Sequence, residues 1–193
     1  MFSESAKKNL SHVIGTFSDF TKAELSVIYN CFKPISVKRN FQLLTEGDIC
    51  KEFYYVHKGS IRTYFLDRNG HEKTRYIMLD NYIGTALTSF ISGKPSIEFI
   101  EAMEDTELLA INRNDFYKLN EEIKSWNYLY QRILEMAYSF QNKKIESLVT
   151  LTAKERYEQL IRENPKIVQR LSNKVVASYL DVKQETLSRL KSK

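Results

Sequence analysis

The spacing of apolar residues changes twice along this chain, at Pro34 and near Asn112, and those two changes limit what it can fold into. From Ile35 to Ile111 the sequence is made of short β-branched and aromatic runs, among them FYYVHKG, SIRTYFLD, HEKTRYIML and ELLAI. Glycines at 47, 59, 70, 84 and 93 separate them. Runs of this kind suit strands, whose side chains alternate between two faces. Asp67-Arg68-Asn69-Gly70 lies between two alternating runs and carries the Asn-Gly signal of a tight hairpin, where positive φ costs little. Turns every ~8–12 residues predict a compact antiparallel barrel or roll.

On either side of this block the period is helical. Leu10, Val13 and Ile14 mark one short helix, and Leu25, Ile28 and Tyr29 a second, which Thr21 and Glu24 open with the form of a capping box. From roughly Ile123 to Leu148 a long helix carries Trp126, Leu129, Ile133, Met136 and Phe140, and later Ile145 and Leu148. A stripe of this kind needs a partner, either the chain's own β domain or the same helix of a second copy. Residues Ala153 to Ile161 give another helix, which Asn164-Pro165 ends.

The last stretch, Ser172 to Lys193, reads as helix, tight turn, helix. Ser172 is a good N-cap, Val175, Val176, Tyr179 and Leu180 recur at helical spacing behind it, and Leu187 and Leu190 continue a second helical period after a break. The second helix offers Gln184, Glu185, Ser188, Arg189 and Lys191, side chains able to bond base edges or phosphates from a major groove. An amphipathic hairpin that only packs on the core would show the same pattern.

Charge is divided unevenly. Residues 1–142 carry 17 Lys and Arg against 18 Asp and Glu, net −1, whereas residues 143–193 carry 12 against 6, net +6. A basic end on a neutral body suits a nucleic-acid reader, because Lys and Arg displace counterions condensed on the phosphate backbone. Basic faces also occur as plain solvated surface. The polar start MFSESAKKNL and the absence of an apolar run near the roughly 20 residues of a membrane helix predict a cytoplasmic protein with no membrane partner. The two cysteines, Cys31 and Cys50, stand without a CxxC pair or a histidine cluster, so no disulfide framework and no metal site is expected.

In their order, TEGD (Thr45 to Asp48), YYVHKGSIRTY (Tyr54 to Tyr64), YIG (Tyr82 to Gly84), EAMEDTELLAI (Glu101 to Ile111) and ASYLDVKQETLSRLKSK (Ala177 to Lys193) resemble the Crp/Fnr superfamily of bacterial transcription regulators. The resemblance covers nearly the whole chain and implies an α+β protein. Residues 1–120 would form a cyclic-nucleotide-binding-like sensor domain, an antiparallel β-roll of jelly-roll type with flanking helices. Residues 121–150 would form a long dimerisation helix, and 151–193 an all-α helix-turn-helix domain. It also implies a homodimer on double-stranded DNA, with RNA polymerase as a further partner, and Trp126, Leu129, Ile133, Met136 and Phe140 at the dimer interface. The family's recognition helix often reads R-E-T-x-x-R, matched here by Gln184, Glu185, Thr186 and Arg189. Arg189 is then expected on a guanine or a phosphate and Glu185 on a cytosine amino group, with Lys183, Lys191 and Lys193 on phosphates and Ser172 and Ser188 beside them. Gln184 departs from the usual arginine, which puts the family's best-known half-site in doubt. The few residues after Arg189 resemble the short, wingless members.

The sensory pocket departs further. Cyclic-nucleotide binders of this fold have a glutamate just after the cassette glycine and an arginine some ten residues later. Here Gly84 is followed by Thr85, and the arginine's place falls near Ser96. Lys94 is no equivalent of a bidentate guanidinium, and Glu98 would repel a phosphate. Ordinary cyclic-AMP or cyclic-GMP binding is therefore not expected. The pocket is expected near Phe53, Tyr64, Tyr76, Ile83, Gly84, Thr85, Lys94 and Ser96, with its effector unknown and no cofactor. His57 and His71 are isolated, and no haem or iron-sulfur ligand set is present. Nor is there a P-loop, GxGxxG, HExxH or GxSxG, so the chain is expected not to be an enzyme. A ligand-sensing or scaffold protein whose terminal helices contact protein in place of DNA is the alternative.

Overall fold

A computed structural model describes residues 3–192; Lys193, expected on a phosphate, lies outside the described residues. Ser3 opens α1 (Glu4–Gly15) by accepting from the Ala6 amide at 3.1 Å, and Ala6, Leu10 and Ile14 are the buried face of that helix. The expected Thr21–Glu24 capping box opens α2 (Lys22–Cys31).

Eight strands follow, with α3 (Leu87–Ser92) between the sixth and seventh: β1 (Phe32–Val37), β2 (Gln42–Leu44), β3 (Glu52–Lys58), β4 (Ile61–Leu66), β5 (Glu72–Met78), β6 (Ile83–Gly84), β7 (Phe99–Ala102) and β8 (Thr106–Asn112). They form two antiparallel four-stranded sheets, in the orders β1-β8-β3-β6 and β2-β7-β4-β5. Buried residues of both sheets, among them Tyr55, Ile61, Ile100, Leu108 and Ile111, belong to the core. The Asn-Gly hairpin joins β4 to β5, but only Gly70 takes a positive φ, at 78°. Asp67 accepts from the Asn69 and His71 amides, so the loop is a wider turn with glycine in the left-handed place, not a two-residue turn.

Asn112 caps α4 (Arg113–Glu122), whose Phe116 meets Phe53, Phe90, Trp126 and Tyr130 ring to ring. The long helix α5 (Lys124–Thr150) comes next, then α6 (Ala153–Glu163). Asn164-Pro165 does more than end α6. Pro165 occupies the first turn of a short α7 (Pro165–Arg170) that the sequence pattern did not show, a place where its missing N–H is no loss. The terminal pair is α8 (Asn173–Leu180) and α9 (Gln184–Lys191).

Part of the stripe on α5 packs on the chain itself, while Met136 is left 54% exposed. Trp126 and Leu129 are 2% and 1% exposed within the core of the roll, and Ile133 packs against the same core. At roughly 1.5–3 kcal/mol for each large side chain kept from water, that face does not open to receive a second copy. The expectation that Trp126 and Leu129 sit at a dimer interface is therefore corrected, and Phe140, edge-on to Tyr76 at 4.9 Å, likewise faces the roll. Leu134, Tyr138, Ile145 and Leu148 lie on a second, neighbouring face of α5, where Tyr138 and Ile145 are 72% and 59% exposed.

Candidate nucleic-acid interface and effector cavity

The terminal helices are held by a small core of their own. Val175, Val176, Ala177, Leu180 and Leu187 are buried with Tyr157, Leu160, Ile167 and Leu171, and Val182 and Leu190 pack against them. Asp181 ends α8 in the left-handed conformation, φ 53°, one of the few residue types that tolerate it. The chain then turns over three residues into α9. With Leu187 and Leu190 directed to this core, Gln184, Glu185, Ser188 and Arg189 are left on the exposed face. Among the described residues, no side-chain hydrogen bond or ion pair occupies these four. Lys183 is exposed, Thr186 half-buried, and Lys191 donates to Asn173 Oδ1 at 2.5 Å. Ser172 caps α8, its hydroxyl accepting from the Val175 amide at 3.5 Å.

Not all of the basic excess faces outward. Arg156 donates to the carbonyls of Leu180 and Leu151. Arg170 bonds Asp80, Glu104 and the carbonyl of Gly59, and Lys174 pairs with Glu72. Glu72 in turn pairs with the buried Arg62, which also holds Glu101 at 2.6 Å. Lys174–Glu72, with Lys73–Asp181 and Ser178 bonded to Thr74 N and Glu72 O at 2.8 Å each, fastens α8 to β5, while Arg170 fastens α7 to the loops around Gly59, Asp80 and Glu104. The roll holds its own output helices.

Between the roll, α1, α5 and the output helices lies a cavity of about 730 Å³. Of the residues expected to line an effector pocket, Phe53, Tyr76, Ile83, Gly84 and Thr85 do so. Tyr64, Lys94 and Ser96 do not. Tyr64 stacks on Phe99 with ring centroids 4.9 Å apart and Arg62 lies over its ring at 4.2 Å; Lys94 is exposed; and Ser96 is tied to the backbone of Glu98. The Thr85 hydroxyl, in the place of the family's glutamate, donates to the Glu52 carbonyl at 2.6 Å.

Sequence reasoning missed other parts of the lining, among them Val13 from α1 and Phe17 just after it, Arg75 from β5, Met136 and Phe140 from α5, and Asn164, Ile167 and Tyr179 from the terminal helices and their junctions. No local motif marks these positions, because the lining is gathered from segments far apart in the chain. Its one internal ion pair is Arg75–Glu98 at 3.1 Å, the Glu98 side chain 4% exposed. Burial pushes the Glu98 carboxyl up, and the charge of Arg75 draws it part of the way back. Among the described residues no three His, Cys, Asp or Glu stand together as a metal site, and no helix is long and apolar enough to cross a membrane.

Residues 34–122 match the cyclic nucleotide-binding domain family model. No curated protein matches the sequence. Among solved structures, the c-di-GMP responsive global regulator CLP of Xanthomonas campestris superposes with a TM-score of 0.72 at 14% identity, over 88% of this chain and 89% of that one. FixK2 of Bradyrhizobium japonicum gives 0.73 at 19%, over 83% of each chain. A regulator assigned to the crp/fnr family from Eubacterium rectale gives 0.70 at 20%, over 89% of this chain and 82% of that one. The chain has the Crp/Fnr fold. In the terms of that fold, the roll is the cyclic nucleotide-binding-like domain, and α8 and α9 follow it where the sequence placed a helix-turn-helix.

Proposed function

We propose that this chain is a sequence-specific DNA-binding transcription regulator that works as a homodimer, with RNA polymerase as a further partner and its signal received at the β-roll. The observation that carries this reading is the division of α9: Leu187 is fully buried in the output core, while Gln184, Glu185, Ser188 and Arg189 stand outward without partners among the described residues. A helix lying in a major groove needs such a face of free donors and acceptors, and this one sits at the basic end of the chain, where residues 143–193 carry a net +6.

The second copy packs on the outer face of α5. Leu134, Tyr138, Ile145 and Leu148 follow one another in steps of four, seven and three residues, a spacing at which two helices keep a seam in register. Two α9 helices would then meet half-sites about one DNA turn, roughly 34 Å, apart. Binding of the full chain to the DNA upstream of its own coding sequence, measured between about 50 and 200 mM salt, tests the reading. A reader of DNA that contacts several phosphates loses on the order of a hundredfold or more over that range. Absence of DNA binding at the low-salt end would favour the scaffold alternative.

A further inference from the structure

A buried polar atom at the wall of the cavity is left without a partner. Glu98 is buried at its wall and reaches Arg75 through Oε2, while Oε1 has no hydrogen-bond partner. Buried carboxylate oxygens are ordinarily satisfied, because an unpaired one keeps the whole penalty of leaving water. The surroundings are aromatic and aliphatic: Phe17, Phe53, Tyr76, Met136, Phe140 and Tyr179. Of the cavity's charges, Arg75 is already engaged by Glu98. A phosphate or carboxylate would have to displace Glu98 from its arginine and bring a second negative charge against it in a low dielectric.

We propose that the cavity takes an uncharged, largely apolar small molecule bearing a hydroxyl or N–H donor, and that this donor bonds Glu98 Oε1. The inference rests on the regulator reading for its consequence and extends it. Tyr179, Asn164 and Ile167 of the output helices share the wall with Tyr76 of the roll and Phe140 of α5, so a molecule filling the space contacts all three parts and favours the docked arrangement. It shifts the population only by the difference in its affinity for docked and undocked forms.

Indole and benzofuran are suitable probes, nearly equal in shape and differing in whether the ring carries an N–H. Calorimetric titration of the full chain, without DNA, should show indole binding about tenfold more tightly than benzofuran, the worth of one hydrogen bond to a charged acceptor. Glu98→Gln should shrink that preference to within about threefold, since an amide nitrogen can take the place of the acceptor. Ala137→Phe, which fills the cavity from α5, should abolish binding of both probes while the circular dichroism spectrum stays native.

Equal affinity of the two probes for the unaltered chain, no binding at millimolar concentration, or a preference unchanged in Glu98→Gln would overturn the proposal. So would tight binding of cyclic AMP, or retention of indole by folded Ala137→Phe. Should Glu98→Gln fail to fold, the comparison in the unaltered chain decides. Because no DNA is present, a chain that binds its upstream DNA but treats the probes alike refutes the ligand class alone, and the opposite result refutes the regulator reading alone.

Discussion

The ammonium of Lys144 lies 3.6 Å from the centre of the Tyr179 ring and donates to the carbonyls of Tyr179, Thr74 and Arg75 at 3.0, 3.1 and 3.3 Å. One side chain from α5 thus joins α8 of the output helices to β5 of the roll. Burial holds its pKa down to about 7, with Asp181 acting to raise it and Arg75 to lower it.

That depression has a definite sign. Between about 7 and the ordinary 10.5, the unfolded chain keeps a proton that the folded chain has shed, so stability from this site rises with pH across that window. Below 7 both states carry the charge, and the folded one bears the cost of burying it. Urea midpoints at pH 7 and pH 9 should therefore rise with pH more for the unaltered chain than for Lys144→Met. Parallel changes in the two would show that Lys144 titrates normally.

Gly59→Ala should destabilise the chain by about 2 kcal/mol or more. Gly59 holds φ at 105°, and a Cβ there would sit 2.5 Å from Thr106 Oγ1 and 2.8 Å from Thr106 Cα. The Gly59 amide donates to Asp80 and its carbonyl accepts from Arg170, so the strain falls on the contact that docks α7. Denaturant unfolding measures it, and a loss under about 0.5 kcal/mol, the usual range for an ordinary surface change, would mean that the turn relaxes freely.

Ile145→Glu should convert the proposed dimer to monomer. Ile145 lies on the outer face of α5 and is 59% exposed, so the change leaves the roll intact and sets a charge in the seam of each copy. Sedimentation at micromolar concentration checks this. A dimer that survives Ile145→Glu would place the interface elsewhere.

The β-roll was legible because alternation, turn residues and glycine spacing are local signals. Capping at Thr21 was legible for the same reason. The α5 stripe was legible only in part. Trp126, Leu129, Ile133, Ile145 and Leu148 are all apolar, but a count of apolar residues does not separate the face that packs on the roll from the face that stays open. The Trp126 face met the roll because α4 delivers it beside Phe116, while Ile145 and Leu148 lie on the neighbouring face. Expectations for the cavity failed at Tyr64, which stacks on Phe99 from another strand, at Ser96, which turns to the backbone of Glu98, and at Lys94, which stays exposed. The basic surplus of residues 143–193 was legible as a sum but not in its use: Arg170 and Lys174, counted in it, are both tied to acidic residues of the roll.

The central claim is that α9 reads bases, and the direct measurement compares Arg189→Ala with Lys191→Ala on a DNA site selected from a random pool and on random DNA. Arg189→Ala should cost roughly 1–3 kcal/mol on the selected site and relax one base position, with little change on random DNA, while Lys191→Ala should weaken both alike. Equal losses on the two DNAs for Arg189→Ala would contradict the account.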